Sequence, residues 1–90
     1  MRKVSEMRDG ELDALVSVII GARKGLPSCY SSRWEHGGPI IEREFISIHP
    51  KSHDLWQAQM GSNNPSGAGE TPLLAAMRCF VAVRIGEDVA

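Results

Sequence analysis

Thr71-Pro72-Leu73-Leu74-Ala75-Ala76-Met77-Arg78-Cys79-Phe80-Val81-Ala82-Val83-Arg84-Ile85-Gly86 is the stretch on which the fold turns. Threonine followed by proline is a helix start: the hydroxyl can cap a free amide, and proline's missing N–H had no partner there anyway. Gly86 is a stop, and Arg84 suits the negative end of a helix. Between them only Arg78 and Arg84 interrupt an apolar surface that runs nearly all round. A helix of that kind is covered on more than one side. Two arrangements satisfy it: a central helix of this fold, or a helix that also packs on a second chain. Leu74, Met77, Phe80 and Val81 are the residues through which a homodimer would form.

Working back toward the N-terminus, Gly61-Ser62-Asn63-Asn64-Pro65-Ser66-Gly67-Ala68-Gly69-Glu70 offers no core residues and reads as a flexible loop over 61–70. Leu55–Met60 alternates Trp56, Ala58 and Met60 with Gln57 and Gln59, a half-buried strand. Ile40–Ile48 is rich in β-branched and aromatic residues and reads as a strand closed by Pro50. The link Pro50–Asp54 is short enough for an antiparallel pair. Residues 25–39, punctuated by Gly25, Pro27, Gly37, Gly38 and Pro39, read as a long loop pinned by Tyr30 and Trp34. Leu12, Leu15, Val16, Ile19 and Ile20 recur at helical spacing, giving a helix over 9–21, capped by Asp9 and ended by Gly21. Residues 1–8 are mixed and expected to fray.

The expectation is a small α+β domain spanning 1–90: helix, long loop, two antiparallel strands, helix, with the helices packed on the sheet. A third strand has room within 26–34.

With 90 residues, a formal charge of −1, 42% hydrophobic and 23% charged residues, the chain has ordinary globular composition. No apolar run reaches the roughly 18–20 residues of a membrane span. Met1-Arg2-Lys3-Val4-Ser5-Glu6 lacks the apolar segment of a secretory signal. Near-neutral charge argues against a protein that coats nucleic acid by electrostatics alone. Two cysteines, Cys29 and Cys79, are read as reduced, in keeping with a cytoplasmic protein.

The candidate chemistry is sparse. Gly37-Gly38-Pro39 beside Trp34 allows a tight turn with an aromatic platform, so Tyr30, Arg33, Trp34, Gly37, Gly38, Pro39 and Glu42 are the candidate binding residues. The plain alternative is a structural turn with Trp34 plugging the core edge. His36, His49, His53 and Cys29 lack the spacing of a zinc motif, so no metal is expected. Glu35, Glu42 and Glu44 with His36 could serve acid–base work only if they met in a pocket. Ser31 and Cys29 carry no nucleophile signature. Gly21-Ala22-Arg23-Lys24-Gly25 is not a phosphate loop. Arg23, Lys24 and Arg33 could instead touch phosphates, with Tyr30 or Trp34 stacking on a base.

Taken together, Glu11-Leu12-Asp13-Ala14-Leu15-Val16, Tyr30-Ser31-Ser32, Trp34, Gly37-Gly38-Pro39-Ile40-Ile41-Glu42, Trp56-Gln57-Ala58 and Thr71-Pro72-Leu73-Leu74-Ala75-Ala76-Met77-Arg78 resemble the NinX-like family of small tailed-phage and prophage proteins. A weaker likeness runs to small phage domains described as α/β/α sandwiches. The resemblance implies a phage or prophage protein working in the bacterial cytoplasm. It brings no activity, cofactor or catalytic residue with it. The leading expectation is a non-enzymatic module that binds a host or phage protein. A nucleic-acid accessory protein is the alternative, and a small enzyme the third reading.

Overall fold

At the start of the last helix the Thr71 hydroxyl accepts a hydrogen bond from the Leu74 amide over 3.1 Å, as its position promised. The computed structural model describes residues 2–21 and 29–89. Their elements in chain order are β1 (Arg2–Lys3), a 3-10 turn (Val4–Glu6), α1 (Asp9–Ile20), α2 (Trp34–Arg43), β2 (Ser47–Ser52), β3 (Leu55–Gln59), β4 (Gly67–Gly69), α3 (Pro72–Ile85) and β5 (Asp88–Val89).

Helix α3 is the middle layer. On one side it covers an antiparallel sheet of order β2-β3-β4; on the other it meets α1 and α2. Every residue from Leu73 to Ala82 is buried, which accounts for its all-round apolarity. Phe80, Met77 and Val81 are fully covered and Leu74 is 6% exposed, so the four residues suggested for self-association are interior side chains of a single chain. Burying a side chain such as Phe80 contributes about 1.5–3 kcal/mol. The expectation that the helices pack on the sheet therefore holds for α3; α1 and α2 pack on α3.

Helix α1 follows its periodicity. Leu12 and Val16 are fully buried, and Gly21 closes the helix in the left-handed conformation, φ +72°. The cap differs from expectation: Arg8 holds the N-cap position, and Asp9 is the first helical residue with φ +46°, a conformation aspartate tolerates better than most.

The stretch 34–43 corrects the sequence reading. It is helix, not the end of a loop and the start of a strand. Gly37, Ile40 and Ile41 form its inner side, and the glycine belongs to that apolar stripe because it lies flat against neighbours. A Cβ on Gly37 would collide with the Tyr30 carbonyl oxygen and come within 2.7 Å of Leu73 Cδ2. The strand begins at Ser47 and runs through Pro50 to Ser52. Pro50 does not close it, because β2 is an edge strand and an outward position needs no N–H. The register shifts between Pro50 and Ser52.

The third strand is β4, inside the segment 61–70 that was expected to be a loop. Gly67 and Gly69 pair with Ala58 and Trp56. Their lack of side chains is what lets α3 press onto the sheet: a Cβ on Gly67 would overlap the Ala75 carbonyl oxygen and sit 2.8 Å from Cys79 Cα. As for a strand within 26–34, residues 26–28 lie outside the described residues, while Tyr30–Ser32 form a turn and Trp34 begins α2.

Residues 2–7, within the segment expected to fray, are tied into the fold. Val4 and Met7 are 0% and 1% exposed. β1 pairs with β5, and the Val4 amide donates to the Glu87 carbonyl over 2.7 Å. Arg78 fastens both flanks of α3: its Nε donates to the Met7 carbonyl (3.0 Å) and an Nη to the Ala68 carbonyl (2.8 Å). Burial lowers the Arg78 pKa from its ordinary value.

Candidate functional site

The first residues of α1, α2 and α3 line one surface groove of about 430 Å³. Arg8 and Asp9 come from the start of α1, Ser31 and Ser32 from the turn before α2, Trp34 from its first position, and Glu70 to Leu74 from the start of α3. The shared orientation follows from packing. Gly37 near the start of α2 abuts Leu73 near the start of α3. Glu44 just past the end of α2 pairs with Arg84 in the last turn of α3, 2.6 Å apart. The two helices therefore run side by side in the same direction.

Each helix start carries roughly half a positive charge from its aligned peptide dipoles. The chain answers with acidic groups there: Asp9, Glu35 and Glu70. At the groove, Arg8 meets Glu70 at 2.6 Å, both side chains more than half exposed. An exposed pair of this kind contributes at most about 1 kcal/mol.

Ser31 is the unusual member. Its amide donates to the buried Asp13 carboxylate over 2.9 Å, which ties the turn to α1. The residue is 6% exposed, and its Oγ has no hydrogen-bond partner among the described residues. A buried hydroxyl without a partner costs about 1–3 kcal/mol. Trp34 is the opposite case: a large aromatic left 55% exposed beside the groove. It therefore does not plug the core.

The other candidates from the sequence separate. Tyr30 is buried, its ring edge-on to His36 with centroids 6.3 Å apart. Gly37 is a packing contact, as above. Arg33 is exposed and pairs with Glu35 at 2.8 Å, which raises the arginine's pKa and lowers the carboxylate's. Pro39 and Glu42 are exposed and Gly38 is half-buried; none of these three lines the groove. His36 Nδ1 accepts a hydrogen bond from the Cys29 amide (2.8 Å). Glu44 is taken up by Arg84 first and then by Arg43, and these hold its carboxyl below its usual value. His36, Glu42 and Glu44 thus do not meet in the groove. His49 contacts Gln57 (3.3 Å) and His53 lies in the β2–β3 turn. Among the described residues no three metal-ligating side chains cluster. Arg23 and Lys24 lie outside the described residues. Cys29 and Cys79 are free thiols, and burial raises the Cys79 pKa. No helix of the described residues is long and apolar enough to cross a membrane.

The sequence pointed to Trp34 but missed Arg8, Asp9 and Glu70–Leu74. They come from segments far apart in the chain, and only the parallel packing of the helices brings them together.

A small α+β domain with a groove at its gathered helix starts is the class these features define. Residues 27–84, well over half the chain, match the family model of bacteriophage P22 NinX, and the chain belongs to that family. The match covers α2, the sheet β2-β3-β4 and all but the last residue of α3. No curated protein matches the chain.

Proposed function

We propose that this phage protein is a non-enzymatic interaction module that binds a phage or host protein in the bacterial cytoplasm through the groove beside Trp34. The observation that carries the reading is a large aromatic side chain, Trp34, left exposed along a groove. Exposed aromatic surface is what a protein partner covers. Tryptophan is also prominent among residues that dominate binding energy.

The test is affinity capture from prophage-induced cells, with and without nuclease, using the tagged wild type and Trp34→Ala. The reading expects a stoichiometric protein that survives nuclease and is lost with Trp34→Ala, while far-UV circular dichroism is unchanged. Capture that depends on nucleic acid, or that is indifferent to Trp34, overturns it.

A further inference from the structure

We propose that the groove takes a guanidinium, the side chain of an arginine on the partner with an apolar residue beside it; this rests on the protein-binding reading above. Trp34, Pro72 and Leu73 give the groove its apolar lining, and its charged members are two carboxylates, Asp9 and Glu70, against one guanidinium, Arg8. The chain itself shows a guanidinium seated there: Arg8 pairs with Glu70 at 2.6 Å, both side chains more than half exposed. That pair uses Glu70 and leaves Asp9, which makes no hydrogen bond or ion pair among the described residues. The charge that complements this lining is therefore positive. Trp34 decides which cation fits. Its side chain is 55% exposed along the same groove. A planar guanidinium can stack on an indole face while its N–H groups reach a carboxylate, which a compact ammonium does less well.

The half-charges of the helix starts oppose a cation, and the acids standing at those starts offset them. The balance then turns on Asp9 and Arg8, and it gives the proposal two opposite signs. Asp9→Asn weakens binding of the partner's arginine. Arg8→Gln tightens it, because Arg8 is the chain's own competitor for Glu70.

The probe is acetyl-leucyl-argininamide, with acetyl-leucyl-citrullinamide as its uncharged counterpart of similar shape, each titrated into the labelled full chain by amide and indole NMR. A ligand this small is expected to bind at millimolar strength, so the titration runs to tens of millimolar, on the order of ten times that affinity. The expected result is saturable shifts at the Trp34 indole and the Asp9 and Glu70 amides, with the citrulline peptide about tenfold weaker. The lysine peptide is expected to be several-fold weaker as well. Asparagine tolerates the left-handed backbone of residue 9, φ +46°, as aspartate does, and Arg8 belongs to an exposed pair, so both variants are expected to keep the fold. Equal binding of the arginine and citrulline peptides, equal binding of the arginine and lysine peptides, indifference to Asp9→Asn, shifts away from the groove, or no saturable shift overturns the proposal. None of these results touches the capture experiment with Trp34→Ala, so the two readings fail separately.

Discussion

The Ser31 amide donates to the Asp13 carboxylate across 2.9 Å, joining the turn before α2 to the middle of α1. Both residues are buried. The bond holds the backbone that carries Ser31, while the hydroxyl of that residue has no partner among the described residues. Asp13→Ala strips a buried amide of its acceptor, and a loss of about 1–3 kcal/mol is expected in urea unfolding. An unchanged midpoint would mean that the turn does not depend on this contact.

Two glycines predict opposite signs. Gly67→Ala forces a methyl group into the backbone of α3 at Ala75 and Cys79, which cannot yield without parting helix and sheet. The expected loss is about 3 kcal/mol or more, the upper end for overpacking. Gly10 lies in the first turn of α1 with nothing within 4 Å of an added Cβ. Gly10→Ala should therefore stabilise by about 0.5 kcal/mol. Thermal unfolding of both variants checks the pair.

These positions also explain what the sequence disclosed. Helix α3 announced itself through Thr71, Pro72 and Gly86, and α1 through the spacing of Leu12, Val16 and Gly21, because those signals are local. Helix α2 and strand β4 were hidden by glycine. At Gly37 and Gly67 the glycine is an interior contact, selected by closeness to another element, and a reading that treats glycine as punctuation places a loop there. The spacing of Gly37, Ile40, Ile41 and Glu44 is helical once the glycine is counted as an inward position. The groove was less legible still. Trp34 was visible as a candidate, but its neighbours Arg8 and Leu73 reach it only through tertiary packing.

Arg78 clamps the N-terminal segment and β4 to α3 through two carbonyls. Arg78→Met keeps much of the side-chain stem but leaves both acceptors unpaired. A loss of about 1–3 kcal/mol is expected, chiefly from the buried Met7 carbonyl, because water reaches the exposed Ala68. Faster amide exchange in residues 2–7 should accompany it. Protection equal to the wild type would show that the clamp is dispensable.

Glu44 sets a pH dependence. Its carboxyl is held below the ordinary value near 4.5, first by Arg84 and then by Arg43. A depressed carboxylate contributes stability that is fully present above its unfolded value and lost as pH falls through its folded one. The melting temperature of the wild type should exceed that of Glu44→Gln at neutral pH, and the gap should shrink as pH drops below the ordinary carboxylate value. A gap that stays constant through acid would contradict the assignment.

The central claim is that the face beside Trp34 meets a partner. Its most direct test is photocrosslinking in prophage-induced cells, with a benzophenone amino acid placed at position 34 and, separately, at position 45. Phe45 is 88% exposed and lies outside the groove, so it controls for mere accessibility. A discrete protein adduct from position 34 that is absent from position 45 is the predicted result. Adducts from position 45 alone, or none from position 34, would contradict the account.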